Sequence, residues 1–167
     1  RNSMQQVIVV DDIDVYIEGG VEGSETIVMV HGWPDTYRLW DAQVEELKSR
    51  YRCVRFTLPG FDLGKPRRAY SLDATMRILL HIVAAVNQKQ KVTLMLHDWG
   101  CVFGYEFYMR NKGLVSAIGS TACHGRVPAS ANATTSGGDI RKFAFIFWCA
   151  LFNKGIHALF LILRSEC

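Results

Sequence analysis

Asp98 stands where a carboxylate could do chemistry. It lies in Lys91–Tyr105, KVTLMLHDWGCVFGY, where an apolar run (Val92–Leu96) stops at His97-Asp98-Trp99-Gly100. A glycine-spaced apolar segment with helical character follows (Cys101, Val102, Phe103, Gly104, Tyr105). A sharp turn between a buried strand and a helix stores strain, and such strain concentrates at functional sites. The helix N-terminus also leaves backbone N–H groups free to meet developing negative charge. Two readings of Asp98 follow: a catalytic nucleophile, or a helix N-cap, which needs no chemistry. A second loop, His31-Gly32-Trp33-Pro34-Asp35, follows another apolar run, Glu25–Val30. The backbone N–H groups of Trp33 and Trp99 would supply a two-donor oxyanion hole beside the Asp98 carboxylate.

The elements that must position these loops can be read in order. Gln6–Val10 and Ile13–Ile17 are β-rich runs separated by Asp11-Asp12, and they predict an antiparallel pair. Glu25–Val30 is a strand buried on both faces. Tyr37, Leu39, Trp40, Val44 and Leu47 predict a helix over Thr36–Ser49. Tyr51–Leu58 is the next strand, and it ends in the turn-rich 59–66 loop. Ser71-Leu72-Asp73 starts a helix running to Val86, Lys91–Leu96 is a strand, Gly100–Arg110 a helix and Leu114–Ser120 a further strand. The alternation from Glu25 onward predicts an α/β fold, a mostly parallel sheet with helices on both faces. In such sheets ligands bind at the C-terminal ends of the strands, where both loops fall.

Composition narrows the function. With 167 residues, 49% hydrophobic and 21% charged, the chain can build one real core. A net charge of +3 gives no case for nucleic acid. The five cysteines are scattered without a CxxC pair, so neither a zinc site nor a disulfide framework is expected, and no cofactor or metal is called for. Reduced thiols and a cytoplasmic location are the expectation. Residues 125–139 are rich in Ser, Thr, Ala, Asn and Gly and predict a linker. Ile140–Leu163 is strongly apolar, but Asn153-Lys154-Gly155 and His157 interrupt it. Two short helices over an apolar surface are favoured there over a membrane anchor.

On these residues the sequence resembles an α/β-hydrolase of the epoxide hydrolase and haloalkane dehalogenase branch. The resemblance is carried by HGWPDTYRLWDAQVEEL (31–47), LPGFDLGKP (58–66), YSLDATMRIL (70–79) and LMLHDWG (94–100). It implies that Asp98 is the nucleophile and forms an ester with a carbon of a small apolar electrophile, which a His-activated water then hydrolyses. It makes His31, Gly32, Pro34, His97 and Gly100 structural or pocket-lining. The residue two before the nucleophile is usually small in this branch, whereas here it is Leu96. The resemblance also places a second acid and the catalytic His late in the chain, after a helical cap, and no residue before Cys167 is assigned to either role.

The remaining candidates have plainer readings. His81 sits in a helix pattern as packing or surface, His157 in an apolar tail reads as a satisfied cap histidine, and His124 follows the last strand, close enough in sequence to be weighed for the site. Asp35 is placed to cap the helix that follows, and Asp62 sits in a turn that favours local hydrogen bonding. Lys65, Arg67 and Arg68 read as a solvated loop. The expected organisation is 1–124 as the N-terminal part of the core, 125–139 as linker and 140–167 as the start of a cap. With no Met at position 1 and no late triad, the chain is expected to be a fragment or truncated isoform of a longer hydrolase. The competing expectations are a non-catalytic fragment or binding protein, or a haloalkane- or ester-cleaving relative.

Overall fold

The computed structural model describes residues 5–66 and 68–121. They form one six-stranded sheet: β1 (Gln6–Val10), β2 (Ile13–Glu18), β3 (Thr26–Val30), β4 (Arg52–Phe56), β5 (Val92–His97) and β6 (Val115–Thr121). The spatial order is β1-β2-β4-β3-β5-β6. β1, β2 and β4 pair antiparallel, whereas β4, β3, β5 and β6 are parallel to one another. The three helices are α1 (Asp41–Leu47), α2 (Leu72–Val86) and α3 (Trp99–Arg110), with short 3-10 turns at Tyr37–Trp40 and Lys112–Leu114.

Side-chain alternation divides the core. Val28, Val30, Val54, Phe56, Leu94 and Leu96 face one side, where α2 and α3 supply Met76, Leu79, Ile82, Val83 and Phe107. Ile27, Met29, Cys53 and Met95 face the other, under Trp40, Val44 and Leu47. Successive residues of a strand therefore meet different helices, which is why the central strands are apolar on both faces. Each fully buried Leu or Ile contributes roughly 1.5–3 kcal/mol of transfer free energy. Cys53 is a fully buried free thiol whose pKa burial pushes up to about 12, so it is inert packing.

Ser71 caps α2 as expected, accepting from the Ala74 N–H at 3.1 Å. The helix expected over 36–49 divides instead into the 3-10 turn and α1. Its cap is also displaced by one residue, because the Thr36 side chain, not that of Asp35, accepts from the Arg38 N–H. The division coincides with Arg55, a buried guanidinium on β4. Arg55 Nη2 donates to Glu18 at 2.7 Å and Nη1 to Asp41, the first residue of α1. Tyr37 lies over this guanidinium, 5.4 Å from ring centroid to Cζ, and stacks on Tyr16 at 4.0 Å.

The linker and cap expected over 125–167 lie outside the described residues, as do His124, His157 and Ile140–Leu163. Among the described residues no helix is long and apolar enough to cross a membrane, and no group of three His, Cys, Asp or Glu could hold a metal ion.

Candidate active site

β3 and β5 are paired neighbours in parallel register, with Val30 beside Leu96. The loops that leave them therefore emerge side by side at the same sheet edge. Asp98 sits between β5 and α3 with φ +51° and ψ −123°, a conformation that side-chain-bearing residues rarely adopt. Asp98 occupies the N-cap position of α3, but its side chain makes no capping bond to its own helix. Instead Asp98 Oδ2 accepts a hydrogen bond from the Trp33 backbone N–H at 2.9 Å, across 65 residues of sequence.

Two glycines permit this approach. A Cβ on Gly32 would lie 2.4 Å from Asp98 Oδ2 and 2.6 Å from the Trp99 nitrogen. Both groups thus border one point in space, the bare face of Gly32. The Trp99 N–H belongs to the first residue of α3, so no carbonyl within the helix can accept it. A Cβ on Gly100 would lie 2.2 Å from the Val30 carbonyl oxygen and 2.6 Å from that of His31. Gly100 therefore lets the start of α3 rest against the end of β3, and this contact brings the two loops together.

His31 is a strut beneath the site. Its ring is wholly buried, and Nε2 accepts from the Leu58 N–H at 2.8 Å. A backbone N–H can only donate, so Nε2 is bare and Nδ1 carries the proton, donated to the Gly32 carbonyl at 2.8 Å. Burial lowers the His31 pKa, against opposing contributions from the Gly32 carbonyl and Asp35. The neutral ring ties the β3 loop to the end of β4. His97 is half-buried, edge-on to Trp40 with ring centroids 6.5 Å apart. His81 is not at this edge, because its Nδ1 pairs with Asp11 Oδ2 at 2.5 Å in the β1–β2 turn.

Aromatic and apolar groups gather at the same sheet edge. Trp33 and Trp99 are 67% and 52% exposed, large values for indoles beside a buried sheet edge. Phe61 sits edge-on to both Trp33 (6.1 Å) and His31 (5.5 Å), and Trp99 lies against Phe103 (6.5 Å). Pro34 follows a cis peptide bond and turns the chain, with the Asp35 N–H donating back to the Gly32 carbonyl at 3.0 Å. Asp62 accepts from the Gly64 N–H at 2.9 Å, a local turn bond. Lys65 is fixed rather than merely solvated, since its Nζ donates to the Asp12 carbonyl. Phe61 and the Arg55 cluster were not singled out by sequence. An Arg inside the strand-like run YRCVRFTL was the visible sign of the latter.

A mostly parallel sheet with a strained acidic turn opposite a glycine loop defines an α/β-hydrolase. The alpha/beta hydrolase family model matches residues 27–161, and the chain belongs to that family. Among curated proteins it is 34% identical over 111 residues to "Probable oxidoreductase EphD" of Mycobacterium tuberculosis, covering 65% of this chain and 18% of that protein. It is 32% identical over 88 residues to human "Epoxide hydrolase 4", covering 51% of this chain and 24% of that one. In structure it is similar to an epoxide hydrolase from Vigna radiata, with a TM-score of 0.61 at 21% identity, covering 78% of this chain and 45% of that chain. The chain thus spans less than a third of these two curated relatives.

Proposed function

We propose that residues 1–124 carry the nucleophile half of an epoxide hydrolase-type site, with Asp98 as nucleophile and a small apolar epoxide and water as reactants. The observation that carries this reading is the Asp98 carboxylate itself: held in a strained turn, bonded to the Trp33 N–H and not to its own helix. That bond engages Oδ2 and leaves Oδ1 for attack. In the first step Oδ1 bonds to an epoxide carbon and that carbon–oxygen ring bond breaks. Its electron pair goes to the ring oxygen, which takes a proton from solvent. The product is a 2-hydroxyalkyl ester whose carbonyl oxygen is Oδ2.

In the second step water adds to Cγ and gives up one proton to solvent, and negative charge gathers on Oδ2, where the Trp33 and Trp99 N–H groups receive it. Such preorganised donors are worth several kcal/mol to an oxyanion transition state. Collapse breaks the bond from Cγ to the alkyl oxygen, which takes the proton of the added hydroxyl and leaves as the diol, restoring the carboxylate. Trp33, Trp99, Phe61 and Pro34 offer an apolar approach that suits an uncharged substrate. His31 has both ring nitrogens bonded to backbone, and His81 pairs with Asp11 in the β1–β2 turn away from this edge, so neither activates the water. The base is not assigned among the described residues.

Intact-mass spectrometry after incubation with styrene oxide tests the reading. A protein that makes the ester faster than it hydrolyses it gains the mass of one epoxide, and peptide mapping places it on Asp98. The Asp98→Asn variant shows no adduct. Wild-type protein with a cooperative denaturant melt that gains no mass and releases no diol would refute the nucleophile assignment.

A further inference from the structure

The residue two positions before Asp98 is bulky, and the fold contains the feature that accommodates it. Leu96, the fifth residue of β5, is fully buried in the core on the α2–α3 side. Its side chain occupies the space where a Cβ on Gly104 would be. Such a Cβ would lie 2.3 Å from Leu96 Cδ2, 2.5 Å from Cδ1 and 2.9 Å from Cγ. Both methyls and the branch point crowd the same spot, so turning the end of the side chain alone does not clear it. β5 and α3 are the two arms of the Asp98 turn. Leu96 fills the angle between them, and Gly104 is the notch that receives it.

We infer that Leu96 and Gly104 are a size-matched positioning pair. Together they set the opening of the β5–α3 turn, and hence the placement of the Asp98 carboxylate against the Trp33 N–H. Filling the notch pushes α3 away from β5 and rotates the turn, and trimming the wedge at the same time lets the arms close again. Neither side chain touches the reacting atoms. The inference rests on the nucleophile reading only for its effect on rate, because the Trp33 N–H to Asp98 bond reports the geometry directly.

The test uses this bond and the styrene oxide adduct together. The Trp33 backbone amide resonance is followed in wild type, Gly104→Ala, Leu96→Ala and the double variant, with Asp98→Ala marking its position once the bond is lost. Gly104→Ala is expected to move the resonance towards the Asp98→Ala position and to slow adduct formation at saturating epoxide by roughly tenfold or more, as sub-ångström misplacement does. Leu96→Ala/Gly104→Ala is expected to return both towards wild type. A Gly104→Ala resonance at its wild-type position overturns the inference, and so does a folded double variant no closer to wild type than the single.

If Gly104→Ala does not fold and the double variant does, that rescue is the expected result. If neither folds, Leu96→Ala decides: an unmoved Trp33 resonance there overturns the pairing, and a moved one supports it. Wild type that takes no label while the resonances follow this order removes the nucleophile reading and leaves the pair standing. Wild type that labels while the resonances do not follow it removes the pair alone.

Discussion

Two loops leave adjacent strands with nearly the same letters, His-Gly-Trp-Pro just after β3 and His-Asp-Trp-Gly starting on the last residue of β5. In the first the histidine is sealed, both ring nitrogens bonded to backbone, and the glycine beside it is stripped of a side chain to admit the neighbouring loop. In the second the position equivalent to that glycine is Asp98, held at φ +51° with its carboxylate reaching across. One loop is thus a frame fixed by satisfied hydrogen bonds, and the other a strained arm whose side chain has been freed from local duty. The proposed nucleophile needs both: strain aims it, and a rigid partner supplies the donor that holds it. Gly100 joins them, because there the start of α3 rests against the carbonyl oxygens of Val30 and His31.

The contact at Gly100 should therefore be the most damaging to fill. A Cβ there meets backbone oxygens of Val30 and His31, which cannot rotate away, so the two loops must separate. Gly100→Ala is expected to cost at least about 3 kcal/mol, the upper end for overpacking. A urea melt measures it, and a loss under about 0.5 kcal/mol, the range of surface changes, would show that the loops are not held through this contact.

The frame should rank next. His31→Ala leaves the Leu58 N–H, itself buried, without an acceptor and opens a cavity beneath the loop. The expected loss is about 2–3 kcal/mol, read by the same melt. The ring also gives the frame a pH dependence. Burial holds His31 neutral in the fold by lowering its pKa, whereas in the unfolded chain it titrates near its ordinary 6.5. Below that value the unfolded state binds the extra proton first, so stability falls as pH drops through 6.5 and levels off below the folded pKa. His31→Gln should lie lower at neutral pH and lose less between pH 7 and 5 (roughly the range in which His titrates). A wild-type melt no steeper in pH than that of the variant would mean another group carries the acid sensitivity.

Sequence reached the two loops unevenly for a physical reason. The strands, α2 from Leu72 to Val86 and its Ser71 cap were legible because each rests on local pattern: apolar runs, helical spacing, a hydroxyl before a helix. That Asp98 and the β3 loop face one sheet edge followed from the alternation of elements. What local pattern could not give was the choice between neighbours, Thr36 rather than Asp35 as cap, or anything set by distant charge. Arg55 stands inside a strand-like run with no local sign of its partners, since Glu18 and Asp41 lie 37 and 14 residues away and draw it into the interior. Leu96 was visible as an exception to the family pattern. Its answer, Gly104, lies on the helix eight residues on, and only the angle between β5 and α3 shows the two in contact.

The smallest expected effect isolates the strain in the second loop. Asp98→Ala and Asp98→Gly both delete the carboxylate and its bond to Trp33, so the lost interaction cancels between them. What differs is the backbone: at φ +51° and ψ −123° a Cβ is penalised and glycine is not. Glycine pays back part of that relief through the greater freedom of its unfolded chain. The net expectation is that Asp98→Gly is more stable than Asp98→Ala by about 1 kcal/mol. At an unstrained site the order reverses, alanine being the more stable, so the sign alone decides. The same exchange at Leu63, an exposed loop position without positive φ, provides that reference. Glycine ahead at position 98 and behind at 63 would locate the strain in the turn that presents the carboxylate. Alanine ahead at both would mean that the turn bears no strain, and that the aim of Asp98 comes from the frame alone.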